Sequence, residues 1–303
     1  MQLEKSRIGK ELREENTYTV RETLLRIEPT VDLYIREKWI AGRDTKPPVV
    51  LLHGAGMDGS GYDVPVAHAS LVNALAQHGS RTFAFDFRGH GRSSRVVDGK
   101  SVTVESSVAD TAAVLDFVRH ITGQEQAILI GESYGTMVAP VVAERYPERV
   151  AGLVLLGLIY AALATPIDEM LAELAQAPCG YAFTTEEEWE MFAPSAAPAV
   201  LQWHQAHFGT AYAYPVGPYL EAGRLPHAQN LSRISSPILV VTGDQDPFAS
   251  LEDTQRFLSS VSSSHKVHLH QPGVGHMPYV EQKAEETRQA ICELINRCSR
   301  NGQ

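Results

Sequence analysis

The sequence predicts an α/β protein: a mostly parallel, eight-stranded sheet flanked by helices, with a helical lid inserted ahead of the last two strands. Two observations carry that expectation. Short apolar runs alternate with stretches whose apolar residues recur at three- and four-residue steps. Such βαβ alternation builds a parallel sheet covered on both faces. The alternation then breaks down across residues 161–235, and a structureless loop of that size would be exceptional in a compact domain. The predicted division is a core of residues 1–160 and 236–303 with a lid at 161–235.

Residues 1–16 are polar and charged and read as a loosely docked arm. From Tyr18 the chain alternates. Thr23, Leu25 and Ile27 share one face and Glu22, Leu24, Arg26 and Glu28 the other, after which Val31, Leu33 and Ile35 alternate with Asp32, Tyr34 and Arg36. Pro29-Thr30 turns the chain between these runs, so an antiparallel hairpin opens the fold. Pro48-Val49-Val50-Leu51-Leu52 is a continuous apolar run, as a strand buried on both faces requires.

A helix is expected over residues 64–78, a strand over 81–87 and a helix over 104–121, where Val108, Ala112, Leu115 and Val118 share a face. Residues 127–130 form the next strand, the helix behind it ends at Tyr146-Pro147, and 150–156 is another buried strand. Within 161–235, Thr165-Pro166-Ile167-Asp168 reads as a helix N-cap with proline at N1, and Thr184 precedes Glu187 at capping-box spacing. Residues 198–208 form a third helix ended by Gly209. Strands over 237–242 and 266–270, a helix near 251–261 and a closing amphipathic helix over 279–298 complete the chain.

Composition is that of an ordinary globular protein, 44% apolar and 20% charged. The net charge of −10 disfavours nucleic acid or an anionic membrane as the main partner, and leaves a small-molecule substrate open. No stretch approaches the ~18 apolar residues of a membrane span, and the N-terminus lacks a signal-peptide core. Cys179, Cys292 and Cys298 are too few and too unevenly spaced for a disulfide framework or a zinc site, so a reducing cytoplasm is expected; the functional reading that follows requires no metal and no cofactor. Oligomeric state is not legible.

Gly131-Glu132-Ser133-Tyr134-Gly135 reads G-x-S-x-G between an apolar strand and a helix. A turn this tight lifts the serine hydroxyl clear of its neighbours and leaves no room for a Cβ on either flank. A serine hydroxyl attacks only when a base takes its proton, and that base needs orienting. Loops after later strands supply both types: Gly243-Asp244-Gln245-Asp246-Pro247 and Gly273-Val274-Gly275-His276-Met277-Pro278. Of twelve histidines, His265, His268 and His270 lie on or beside a strand, whereas His276 has the glycine-flanked loop position.

Further motifs stand at Leu51-Leu52-His53-Gly54-Ala55-Gly56, Asp86-Phe87-Arg88-Gly89-His90-Gly91-Arg92-Ser93 and Tyr146-Pro147-Glu148-Arg149-Val150. With the elbow and Gly243-x-x-Asp246, they make the chain resemble the α/β-hydrolase superfamily, in its lidded esterase-, lactonase- and C–C hydrolase-like form. The likeness spans all but the N-terminal arm and the lid. It implies Ser133 as nucleophile, His276 as general base and then acid, and Asp246 rather than Asp244 as the orienting carboxylate. It implies the backbone N–H groups of Ala55 and Tyr134 as the oxyanion hole, and it makes His53 and the Arg88–Ser93 loop scaffold. A serine at that position disfavours haloalkane dehalogenases and epoxide hydrolases, which use aspartate there. The lipase-type His-Gly-Gly-Gly is absent, because Ala55 follows His53-Gly54.

In the lid, Trp189, Phe192, Trp203, Phe208, Tyr212, Tyr214 and Tyr219 cluster. They read either as an aromatic wall around an apolar acyl group or as the lid's own small core. Trp203, His204, His207, Tyr212 and Tyr214 are the candidate substrate contacts. The leading functional expectation is a serine hydrolase cleaving an ester, thioester or lactone of a small, largely apolar substrate through an acyl-enzyme. Alternatives are a C–C hydrolase, cyclase or acyl transferase on the same triad, and, from a different class, a non-catalytic binding protein.

Overall fold

A computed structural model describes residues 11–15, 17–66 and 68–301 of the chain, so most of the N-terminal arm lies outside the described residues. β1 (Glu11–Glu15), β2 (Tyr18–Glu28) and β3 (Val31–Trp39) open the chain, followed by β4 (Val49–Leu52), α1 (Leu71–His78), β5 (Thr82–Phe85) and α2 (Val104–Thr122). β6 (Ala127–Glu132), α3 (Tyr134–Arg145) and β7 (Val150–Leu156) come next. The stretch between β7 and the last two sheet strands holds α4 (Asp168–Leu174), β8 (Tyr181–Phe183), α5 (Glu186–Phe192), α6 (Pro198–Phe208), β9 (Ala213–Pro215) and α7 (Gly217–Glu221). β10 (Ile238–Gly243), α8 (Leu251–Ser260), β11 (Lys266–Gln271) and α9 (Ala284–Asn301) complete it.

The sheet order is β1-β2-β3-β5-β4-β6-β7-β10-β11. The opening strands pair antiparallel and the rest, from β5 through β11, pair parallel. The eight expected strands are all present. The finding that sequence reading missed is β1, which takes part of the polar arm into the sheet by pairing with β2.

Side-chain alternation sorts the strands onto two cores. Val50, Leu52, Leu129, Leu153, Leu155 and Val240 pack against α2, α3 and α8, whereas Val49, Leu51, Ile128, Ile130, Val154 and Val241 pack against α1 and α9. Both faces are therefore apolar, which is why β4 and β6 read as unbroken apolar runs.

Four helix starts differ from expectation. α1 begins at Leu71 because Ser70 caps it through Asn73, leaving residues 64–69 as loop. α4 starts at Asp168 after Ile167 rather than at Pro166. The capping box of α5 is Thr185 with Glu188, one residue beyond the Thr184–Glu187 pair, since only that register closes both reciprocal bonds. α9 likewise starts at Ala284, not near Tyr279, which is fully buried in the α1–α9 core. α6 matches the expected 198–208.

β4 and β6 are neighbours in register, Leu52 opposite Gly131, while β6 and β7 align Glu132 with Leu156. β10 and β11 align Gly243 with Gln271. Every loop carrying a candidate residue therefore leaves the same, C-terminal edge of the sheet. β4 sits where the chain turns to opposite sides, with β5 on one flank and β6 on the other, the crevice in which open α/β sheets bind ligands.

Candidate active site

Ser133 occupies the single residue between β6 and α3, with φ 51° and ψ −114°. A non-glycine residue in that region costs of order 1–3 kcal/mol and persists only when its surroundings hold it. Here they do. The Ser133 N–H donates to Leu156 O at 3.1 Å, and its carbonyl accepts from the N–H and hydroxyl of Thr136 at 2.8 and 2.6 Å. The flanking glycines are required by contact: a Cβ on Gly131 would stand 2.4 Å from Gly135 O, and one on Gly135 would stand 2.1 Å from Leu52 O.

His276 arrives on the loop after β11 and Asp246 on the loop after β10. His276 Nδ1 lies 2.9 and 2.8 Å from the two Asp246 carboxylate oxygens, and both side chains are buried. Asp246 Oδ1 also accepts the N–H groups of Phe248 and Ala249 at 2.8 and 3.0 Å. Asp244 is exposed and instead accepts the Gly273 N–H at 2.7 Å. Burial alone would lower the His276 pKa; the Asp246 charge and hydrogen bond, with Glu132 and Glu281, outweigh it and hold it above the ordinary imidazole value. With Nδ1–H committed to Asp246, Nε2 is the free position, and it makes no hydrogen bond. Ser133 and His276 line one hollow without a hydrogen bond between them; contacts of this kind commonly tighten only when substrate is bound.

Sequence reading overlooked how the histidine loop is held. Glu281 accepts the N–H groups of Gly275 at 2.8 Å and Met277 at 3.2 Å, and Ser195 Oγ donates to it at 2.7 Å. The His276 N–H donates to Phe192 O at 2.7 Å, so α5 of the inserted stretch clamps the same loop. The signal was a carboxylate five residues after a histidine, indistinguishable in sequence from any surface glutamate.

Ala55 lies on the loop after β4, and Tyr134 is the first residue of α3, whose N–H belongs to the unpaired first turn of a helix. Buried imidazoles brace the first of these loops. His53 Nε2 accepts the Phe87 N–H at 3.1 Å, which puts its proton on Nδ1, 2.7 Å from Gly54 O, while His90 Nε2 lies 3.0 Å from Ala55 O. Burial lowers both pKa values, to about 4 for His90, so both rings are neutral near pH 7. Asp86 anchors the bracing loop through the Gly59 and Arg92 N–H groups, and Arg88 pairs with Asp110.

Two hollows meet at Ser133. One is lined by Gly54, Glu132, Trp189, Phe192, His276 and Met277; the other, toward α4, by Met137, Ile159, Leu163, Ile167 and Met170. Ala55, Ser133, Tyr219 and Phe248 border both, and each holds about 30 Å³. A larger hollow of about 670 Å³, between α1 and α9, includes Cys292, whose thiol burial pushes up to about 11.

None of the five side chains singled out as substrate contacts lines either hollow at Ser133. His204 is buried, with Nδ1 2.9 Å from Val200 O; Trp203 stacks on His207, whose Nε2 is 3.1 Å from Ser60 Oγ. Tyr214 is packed on Tyr219, and the Tyr212 hydroxyl accepts the Gly91 N–H at 3.1 Å. These residues form a second layer that ties the insert to the core. Of the aromatic cluster Trp189, Phe192 and Tyr219 reach the hollows, and Trp189 and Phe192 belong at the same time to the buried core that includes Phe208. Phe248 shares the wall from the loop that carries Asp246, a contribution the motif there did not announce.

A family model described as serine aminopeptidase, S33, matches residues 43–283. The chain belongs to that family. Within the wider α/β-hydrolase superfamily, a curated relative is the non-heme haloperoxidase of Rhodococcus erythropolis, 27% identical over 266 residues, 78% of this chain and 87% of that protein. Epoxide hydrolase B of Mycobacterium tuberculosis is 39% identical over 108 residues, 36% of this chain and 28% of that protein, so the match spans little more than a quarter of its length. Among solved structures, a thermophilic esterase from Thermogutta terrifontis superposes with TM-score 0.71 at 22% identity, covering 92% of this chain and 99% of that one. At that identity the likeness concerns the fold. Among the described residues no helix is long and apolar enough to cross a membrane.

Proposed function

We propose that this protein hydrolyses a carboxylic ester, thioester or lactone of a small, largely apolar substrate through an acyl-enzyme on Ser133, with residues 161–235 serving as a lid. The supporting observation is a strained, presented serine lining the same hollow as His276, whose Nδ1 is held by the buried Asp246 and whose Nε2 makes no hydrogen bond. Ser133 Oγ attacks the carbonyl carbon while His276 Nε2 takes its proton, and Asp246 stabilises the resulting imidazolium. The Ala55 and Tyr134 N–H groups receive the developing oxyanion, each contributing about 10²–10³ in rate. His276 returns its proton to the leaving group, which therefore departs through the hollow that His276 lines. The acyl group then takes the apolar hollow toward α4.

No lysine or arginine lines either hollow among the described residues, so a substrate carboxylate has no cationic partner there; this favours an ester over a charged diketone. Hollows this small hold only one or two water molecules each, so substrate entry requires the aromatic side chains or the lid to move. The test is labelling by a fluorophosphonate probe: wild type is labelled, Ser133→Ala is not, and hydrolysis of 4-nitrophenyl butyrate falls by about 10⁶ in that variant. A folded wild-type protein that resists the probe would sink the proposal.

A further inference from the structure

Glu132, immediately before the nucleophile, is 2% exposed, and its Oε2 has no hydrogen-bond partner. A buried carboxyl oxygen left unpaired is costly, so its position calls for a use. Its place is defined by Gly54: a Cβ there would sit 2.5 Å from Glu132 Oε2 and 3.3 Å from Ser133 Cβ. Glu132 thus lies beside the nucleophile and lines the hollow that also holds His276, whose Nε2 is likewise unpartnered. The hollow toward α4 contains no carboxylate.

The side on which His276 stands fixes what this hollow must do. The leaving group departs there with the proton from Nε2, and the water of the second half-reaction must enter there to give its proton to the same atom. About 30 Å³ suffices for one or two waters, provided polar partners are at hand.

We propose, resting on the Ser133 reading, that Glu132 is a further catalytic residue that holds and orients the hydrolytic water during deacylation. One water hydrogen bonds to Glu132 Oε2 and the other to His276 Nε2, aiming a lone pair at the acyl carbon. As the water oxygen bonds to that carbon, the second proton passes to Nε2 and the carbonyl electron pair moves to oxygen. Collapse of the intermediate breaks the bond to Ser133 Oγ, which recovers the proton from His276. Glu132 ends as it began. Burial pushes its carboxyl up to about 7, against the pull of His276 and of the neighbouring Gly54 N–H; Asp246, Tyr62, Tyr219 and Tyr279 are the other titratable groups whose charge it senses.

Methanol separates this role from a structural one. It has a single O–H, which goes to His276, so attack by methanol does not depend on Glu132. With 4-nitrophenyl butyrate and a fixed methanol concentration, the ratio of methyl butyrate to butyrate measures partition of one acyl-enzyme and is unaffected by the amount of folded protein. In Glu132→Met the rate of deacylation by water falls by about a hundredfold, the cost of losing a positioned reactant, and with methanol attack unchanged the ratio rises by about the same factor. Glu132→Gln retains a carbonyl acceptor and gives a smaller rise; it decides the matter if Glu132→Met fails to fold. A ratio equal to wild type in the folded variants overturns the assignment. Absence of fluorophosphonate labelling in wild type would instead count against the Ser133 reading itself.

Discussion

The two hollows that meet at Ser133 are equal in size and differ in one respect. The one toward His276 adds a buried carboxyl and an imidazole to its aromatic and thioether walls; the one toward α4 is walled by aliphatic, thioether and aromatic side chains with no carboxylate among the described residues. The polar groups of the first stand at the C-terminal edge of the sheet, Glu132 at the end of β6 and His276 on the loop after β11, positions that follow from strand register. Much of the second comes from the stretch between β7 and β10, whose Ile167, Met170 and Pro218 close over the site. The division assigns reactivity to the sheet and substrate shape to the insert.

The largest test of the polar side is the acid. Asp246→Asn should lower turnover by about 10⁴, whereas Asp244→Asn, altering an exposed carboxylate, should stay within about threefold. Because the Asp246 charge raises the His276 pKa and catalysis needs the neutral imidazole, the acid limb of the residual kcat/KM profile should move to lower pH in Asp246→Asn. Equal losses in the two variants would show that the carboxylates had been assigned wrongly.

A mid-sized effect is expected at the seam between the oxyanion loop and the polar hollow. Gly54→Ala would place a methyl 2.5 Å from Glu132 Oε2, forcing the carboxyl or the Ala55 N–H to shift, and a misplaced donor costs about 10² in kcat. A crystal structure and kcat of the variant check this together; unchanged turnover would remove Glu132 from the reacting zone.

The smallest effect belongs to the apolar side. Leu163→Ala enlarges the hollow toward α4, and preference for hexanoate over acetate esters should rise by about tenfold, the scale of a methylene or two in an apolar pocket. If chain-length preference responds instead to Trp189→Ala, the acyl and leaving-group sides are reversed.

The elbow shows how much was legible. Backbone sterics between Gly131 and Gly135 act over five residues, so a local pattern announced them, and β6, α3, β7 and α6 followed their periodicity closely. The loops carrying Asp246 and His276 were legible for a related reason, each following a short buried strand. The insert was not. Tyr212 and Tyr214 have the same composition and neighbourhood as Tyr219, yet only Tyr219 borders the hollows, because which aromatic faces the site depends on how α7 and the β8–β9 ribbon pack on the core.

By itself the sequence determined the alternating strands and helices, the tight turn presenting Ser133 and the order of serine, aspartate and histidine. All rest on interactions between residues close in the chain, or on the apolar faces that a sheet must bury. Only the tertiary structure decided which side chains wall the two hollows, how Glu281 holds the histidine loop, and that Glu132 and His276 bring unpartnered atoms to one hollow. Those outcomes depend on distances between segments far apart in sequence, which strand register and packing set and composition leaves open.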